Sequence, residues 1–331
     1  MGEKVDKIRA FLDYLEGEGI ERCVLLSRDN INYFLERYPP YNSLLTFHVK
    51  EGRAVLHLPK LEYRGFQDGE IEVSLMENVK DVIKGCDGVE ETFPVKYLKY
   101  LAGDYKVVSK KLLEMRSVKR GREIEFIRRA SRISRRAMEY GIECLSRENI
   151  TEIELAGEIE YKMKKMGSIK PAFDSIVISD RKTALPHGLP SRDVIRNIVV
   201  IDIGAVYRGY CSDITRTVIL KEDRRYREIY ELVSEVKGEL EDHLREGVPV
   251  RELDRLARDL MGEYKGYFIH SLGHGVGVSV HEEPSISSKT REDVTLKENM
   301  VITLEPGIYL EDFGVRIEDL YLIKKDGFKI L

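Results

Sequence analysis

Four carboxylates and one imidazole stand at the ends of apolar runs or inside glycine-rich turns. Asp202 follows Val199-Val200-Ile201, Asp213 precedes Ile214-Thr215, and His274 lies among the glycines of SLGHGVG. Glu305 closes Val301-Ile302-Thr303-Leu304 just before Pro306-Gly307, and Glu318 alternates with Ile317 and Val315 in GVRIED. Taken singly, each has an ordinary explanation. Aspartates flank turns, and Arg316 with Glu318, on one face of a short strand, reads as a cross-strand salt bridge. Taken together, they are a set of like charges that repels itself unless a cation sits among them. Oxygen-rich ligation with a single imidazole suits Mn²⁺, Co²⁺ or Fe²⁺ better than a thiolate-type zinc site, although zinc is compatible. Two ions about 3.5–4 Å apart would use the oxygens better than one.

The densest part is VVIDIGAVYRGYCSDITRT. Ile198 to Ile203 and Ser212 to Ile219 read as two strands, and Tyr207-Arg208-Gly209 supplies the turn. With Tyr207-Arg208 as the two-residue loop, Asp202 falls directly opposite Asp213, with Cβ atoms roughly 4.5–5.5 Å apart. Thr215 and Thr217 share the Asp213 face by alternation, so Thr215 is expected to hydrogen-bond behind a metal ligand. Two further histidines need weighing. His187 lies in the loop Leu185-Pro186-His187-Gly188, and His281 ends an expected strand over 276–280. An unbroken strand would point His274 and His281 to opposite faces, and the glycines at 273, 275 and 277 permit the break that turns both inward. His270 is a candidate for a bond behind the ligands, whereas His48, His57 and His243 read as packing or surface residues. GHGVG lacks the glycine spacing and following helix of a phosphate loop.

The elements that must carry these residues fall into two parts. Residues 1–115 alternate helix and strand: helix from Lys4 to Leu15, strand from Arg22 to Leu26, helix from Asp29 to Glu36, a hairpin around Glu51-Gly52, then shorter pieces to Val108. This pattern predicts a small α/β domain. The charged, Gly-ended segment 116–121 reads as a linker, and 122–331 as the domain that bears the site. There, Glu123 to Leu145 has helical periodicity, and Thr151 with Glu154 forms a capping box opening the next helix. Strands are expected at 175–179, 198–219, 276–280, 301–304 and 315–323, covered by helices near 224–245 and 250–262.

Composition narrows the class. A net charge of −4 with 34% charged residues leaves no basic footprint for nucleic acid. No apolar run is long enough to span a membrane, and the opening MGEKVDKIRAFLDYLEGEGI reads as an amphipathic helix rather than a signal peptide, so a cytoplasmic protein is expected. The four cysteines are scattered without metal-knuckle spacing. A single glutamine beside abundant Lys, Arg and Glu points to a hot-growing source.

The run FDSIVISDRKTALPHGLPSRDVIRNIVVIDIGAVYRGYCSDITRT, with GHGVGVSVHEEP, EPGIYL and GVRIED in that order, closely resembles the pita-bread metallopeptidases of the prolidase and aminopeptidase P branch. The resemblance spans Arg122 to Leu331 and, more loosely, the first 115 residues. It implies an α/β N-terminal domain of the creatinase type before an α+β pita-bread catalytic domain. By that resemblance Asp202 holds one divalent ion, Asp213 and Glu318 bridge two, and His274 and Glu305 hold the second. Glu305 then moves the proton, His281 and His187 face the substrate carbonyl and oxyanion, and Arg316 orients a ligand carboxylate or contacts substrate. The implied reaction is release of the residue preceding proline from short proline-containing peptides, with a homodimer expected. Methionine aminopeptidases are disfavoured because they generally lack the preceding domain, and creatinase-like or chaperone-like relatives because they lack the ligands. Prolidases that resemble this chain carry an arginine where Ser285 stands. Arg291 is the candidate substitute, and an aminopeptidase acting on longer peptides is the alternative, with a non-catalytic peptide-binding member further behind.

Overall fold

The computed structural model describes residues 2–331. They divide into two compact units, the first ending at Arg116 and the second running from Ser117 to Leu331. The first contains α1 (Glu3–Gly17), β1 (Arg22–Leu25), α2 (Arg28–Leu35), β2 (Leu44–His48), β3 (Arg53–Pro59) and α3 (Lys60–Tyr63). It continues with β4 (Glu72–Met76), α4 (Val79–Ile83), β5 (Gly88–Val89), β6 (Lys106–Val107) and α5 (Ser109–Ser117). The strands form one mixed sheet in the order β4-β3-β2-β1-β5-β6. Helix α1 buries Ile8, Phe11, Leu12 and Leu15, the spacing of one helical face. Phe11 anchors it, with ring centroids 5.4 Å from Phe34 and 4.8 Å from Phe47.

Residues 116–121 are not a loose charged connection. Helix α5 runs through Ser117, Val118 bridges to Met300, and Lys119 is buried with its ammonium 3.4 Å from Glu282. The opposite charge of Glu282 and the Ser117 carbonyl, which accepts from the same ammonium at 3.1 Å, help make burying this lysine tolerable.

The second unit opens with α6 (Gly121–Cys144), α7 (Glu152–Lys165), β7 (Ile176–Ser179), β8 (Ile198–Ile203), β9 (Val206–Tyr207), β10 (Tyr210–Cys211) and β11 (Ile214–Ile219). After α8 (Arg224–Glu241) and α9 (Val250–Leu260) come β12 (Gly273–Gly275), β13 (Glu282–Ile286), β14 (Val301–Leu304), β15 (Gly307–Tyr309), β16 (Gly314–Arg316), β17 (Asp319–Lys324) and β18 (Gly327–Ile330). The two larger sheets have the orders β11-β8-β7 and β13-β12-β14-β17-β18. Each packs a helix pair. Val199, Ile201 and Ile203 of β8 join Ile133, Ala137, Leu155 and Ile159 of α6 and α7. Ile302, Leu304, Tyr321 and Ile323 of β14 and β17 join Ile229, Val233, Val250 and Leu253 of α8 and α9. Because side chains alternate, Val200 and Asp202 point away from α6 and α7, and Val200 meets Ile176 and Ile178 there.

Three expectations are corrected. Tyr207 pairs with Tyr210 and Val206 with Cys211, so the turn is Arg208-Gly209, at φ 51° and 84°. A two-residue turn of this kind needs positive φ at both positions, which favours a pair ending in glycine over Tyr207-Arg208. The register slides by two. Asp202 therefore opposes Thr215, and Asp213 lies diagonally across on the same face rather than directly opposite. Second, 276–280 is a run of bends, and the strand resumes only at Glu282, whose Oε1 accepts from the Ser279 amide at 3.0 Å. The chain wraps around that carboxylate instead of extending. Third, 315–323 is not one strand. It breaks at Ile317-Glu318, where the Glu318 amide donates to Thr215 O at 3.1 Å, and then continues as β17 beside β14.

Candidate metal centre

The predicted residues converge from both sheets. Asp202 is carried by β8, Asp213 by the entry to β11, His274 by β12, Glu305 by the exit from β14 and Glu318 by the break between β16 and β17. Gly273 flanks His274 because the strands are nearly touching: a Cβ there would lie 2.2 Å from Thr303 O. Asp213, His274 and Glu318 each offer one donor atom, all within 4.8 Å of one another. His274 Nε2 is 3.5 Å from Glu305 Oε1 and 3.7 Å from Asp213 Oδ2.

Within this cluster Asp202 Oδ1, Asp213 Oδ1 and Glu318 Oε1 are buried without a hydrogen-bond partner. Their sister oxygens are engaged differently. Arg316 Nη2 donates to Asp202 Oδ2 at 2.6 Å, and Thr215 Oγ1 donates to Glu318 Oε2 at 2.7 Å. Two carboxylates are thus held by one oxygen while the other is left bare. Bare buried anions are costly, and their burial stays tolerable only if they are protonated or a cation completes them.

The electrostatics point the same way. Burial, then the charges of Glu318, Asp202 and Glu305, push the Asp213 carboxyl well above the usual range. Burial, then the charges of Glu305 and Asp202, raise Glu318 against the opposing hydrogen bond from Thr215 and the charge of Arg316. Burial lifts Glu305 to about 8, with Arg316 pulling the other way. Burial lowers His274 to about 4, so its imidazole is neutral at pH 7. Its Nδ1 lies 3.1 Å from Gly275 O, which can only accept, so the proton sits on Nδ1 and the Nε2 lone pair faces carboxylate oxygens. A neutral imidazole with its lone pair turned toward bare carboxylates is the donor set a divalent cation takes. The residues fit the ions that the sequence implies.

Arg316 is not at a substrate-facing surface. It is 2% exposed, and besides Asp202 it donates from Nη1 to Tyr309 Oη at 2.8 Å and Pro186 O at 3.1 Å, and from Nε to Thr215 Oγ1 at 3.3 Å. Every nitrogen of the fork is committed to the protein, so it aims Asp202 instead of reaching outward. Thr215 lies behind Glu318, to whose Oε2 it donates, and not behind Asp213, whose face it shares by alternation.

The remaining histidines rim the cluster. The His274 and His281 rings are 4.3 Å apart between centroids, with His281 exposed. His187 is also exposed, and its charge contributes to the lowering of both His270 and His281 below burial. His270 Nδ1 donates to Ser271 O at 2.8 Å, so its Nε2 accepts from Tyr309 Oη at 2.8 Å. Arg291 is exposed and forks with Asp293, with Nε 3.0 Å from Oδ1, while Ser285 pairs with His274 across β12 and β13. Tyr309 and Thr303, whose Oγ1 accepts from the His274 amide at 3.1 Å, were missed. Alternation could have found Thr303, two residues before Glu305 on the same strand face.

Residues 125–325 match the family described as metallopeptidase family M24. An uncharacterized peptidase of Methanocaldococcus jannaschii is 50% identical, covering 98% of this chain and 95% of its own. Among solved structures, the prolidase from Pyrococcus horikoshii is 35% identical at a TM-score of 0.91, covering 99% of this chain and 97% of that one. The X-Pro aminopeptidase from Thermotoga maritima is 33% identical at a TM-score of 0.86, covering 98% and 96%.

Proposed function

The chain belongs to metallopeptidase family M24 and has its pita-bread fold, and from that premise we propose that it hydrolyses the bond before proline in short peptides, releasing the N-terminal residue. The observation that carries the proposal is the cluster of Asp213, His274 and Glu318 donor atoms within 4.8 Å of one another, in a site where three buried carboxylate oxygens lack a hydrogen-bond partner. Asp202, Asp213, His274, Glu305 and Glu318 would hold two divalent cations, with Mn²⁺, Co²⁺ or Fe²⁺ preferred for this donor set. When bound, such ions make water nucleophilic at neutral pH and polarise the scissile carbonyl.

The protein's own residues supply the rest. Arg316 and Thr215 fix Asp202 and Glu318 so that one oxygen of each stays directed inward. Glu305 takes the proton from the attacking water and delivers it to the prolyl nitrogen as the C–N bond breaks. An amide nitrogen leaves only once it takes up a proton, and with this one delivered the prolyl nitrogen departs as a secondary amine. His281 and His187, exposed at the rim, donate to the carbonyl oxygen as it gains charge.

The first reading is a dipeptidase. One observation favours longer peptides: Ser285 has no guanidinium, and Arg291 is exposed and forked to Asp293, so neither is an evident clamp for a dipeptide's C-terminal carboxylate. We expect a cytoplasmic homodimer from a hot environment; among the described residues no helix is long and apolar enough to cross a membrane. Turnover of Ala-Pro and Ala-Pro-Ala by Mn²⁺- or Co²⁺-loaded protein decides the branch. Hydrolysis of neither, with metal bound, overturns the proposal.

A further inference from the structure

We infer that Glu152 is a positioning residue that acts through His187, by closing the loop on which that histidine stands. Glu152 is the first residue of α7 and is wholly buried, yet it is surrounded by donors. Its Oε1 accepts from the Ser179 amide at 2.7 Å and the Ser179 hydroxyl at 2.9 Å. Its Oε2 accepts from the Ser191 amide at 2.9 Å, the Ser191 hydroxyl at 3.0 Å and the Lys182 ammonium. The two ends of the segment 179–191 are therefore tied to opposite oxygens of one carboxylate. Backbone bonds from Glu152 N to Asp193 O at 3.1 Å and from Ile153 N to Ser191 O at 2.9 Å lock the same junction.

Inside that closed base the loop is held at two more points. Thr183 Oγ1 accepts from the Gly314 amide at 2.8 Å, and Pro186 O accepts from Arg316 Nη1 at 3.1 Å. His187 follows directly and is exposed, so its position is inherited from this backbone. A carboxylate, and not an amide, is needed at 152 because each of its oxygens faces a group that can only donate, the Ser179 amide on one side and the Ser191 amide and Lys182 ammonium on the other. A glutamine would turn its own NH₂ toward one end of the loop and release it. The site-facing contacts come from β16, which also carries Arg316, so the loop's tip is fixed to the element that aims Asp202, and its base to Glu152.

The kinetic arm of the test rests on the Xaa-Pro reading; the structural arm does not. Glu152→Gln is compared with the wild-type chain, Mn²⁺-loaded, on Ala-Pro and Ala-Pro-Ala, alone and combined with His187→Ala. Bound metal is measured by elemental analysis, and amide hydrogen exchange is followed over 180–190. The expected result is a loss of about 10- to 100-fold in kcat from displaced geometry, with metal content unchanged and faster exchange confined to the loop. In the His187→Ala background the same change should cost less than about twofold, because residues acting as a unit are not additive. A loss that multiplies fully in that background, or loop exchange identical to wild type, overturns the inference. Should Glu152→Gln fail to fold, Ser191→Ala removes one donor from the clamp and is carried through the same cycle and exchange measurement, with a several-fold loss expected. If the wild-type chain turns over neither peptide, the proposed function falls while the exchange arm still decides the clamp.

Discussion

Replacing Arg316 by lysine keeps the charge beside Asp202 and removes the fork. Arg316 makes four bonds from three nitrogens: Asp202 Oδ2 at 2.6 Å, Tyr309 Oη at 2.8 Å, Pro186 O at 3.1 Å and Thr215 Oγ1 at 3.3 Å. A lysine ammonium is a single point and cannot reach all of these directions at once. If it stays on Asp202, the bonds to Tyr309 and Pro186 go, each contributing about 1 kcal/mol net. If it moves toward them, the charge-assisted bond to Asp202 goes, contributing about 1.5–3 kcal/mol. Either way the loss is about 1.5–3 kcal/mol, which corresponds to roughly 10- to 150-fold in kcat/KM or in affinity for the ion beside Asp202. Steady-state kinetics on Ala-Pro-Ala, with calorimetric Mn²⁺ titration of the metal-free protein, reads both. Arg316→Met should be worse, because it strands a buried carboxylate at a cost of about 3–5 kcal/mol. An Arg316→Lys variant within twofold of wild type in kcat/KM and in ion affinity would refute the idea that the fork aims Asp202.

Further predictions come from the same geometry. Asp213→Asn should cut activity at least about 100-fold, yet stabilise the chelated, metal-free protein by about 1–3 kcal/mol, since it removes a buried charge facing Glu318, Asp202 and Glu305; calorimetry in EDTA checks this. Burial raises Glu305 from 4.5 to about 8, so the folded metal-free chain binds this proton more tightly than the unfolded one. Its contribution to stability is therefore complete below pH 4.5 and is lost as pH rises through about 8, with a slope of at most about 1.4 kcal/mol per pH unit. Denaturant melts across that window should flatten when saturating Mn²⁺ is added. Tyr309→Phe removes the hydroxyl that joins Arg316 to His270 and should lower kcat several-fold at unchanged metal content.

The clustering of these five side chains was legible because charge at the end of a buried β-branched run is expensive, as at Asp202 and Glu305. The face of each strand was legible too, since alternation survives a register error of two, and so Asp213 and Thr215 fell on the correct side. The register itself was not, because it depends on which pair adopts positive φ, and Arg208 is an unusual choice for the first position. The bends over 276–280 were hidden because they depend on the Glu282 carboxylate being folded back under the Ser279 amide. For Arg316 two roles stood open, orienting a ligand carboxylate or contacting substrate, because alternation gives a face and not a depth, and its bond to Asp202 fits the first. Its burial depends on Tyr309 and the carbonyl of Pro186, more than a hundred residues away in the latter case. Glu152 gave no signal beside the Thr151–Glu154 capping box, since a clamp on a distant loop leaves no local pattern.

The most direct test is anomalous X-ray diffraction from crystals grown with Mn²⁺. Two peaks are predicted, roughly 3.5–4 Å apart, both touching Asp213 and Glu318, with one also on Asp202 and the other on His274 and Glu305. Crystals of active enzyme with no anomalous peak among these side chains would contradict the account.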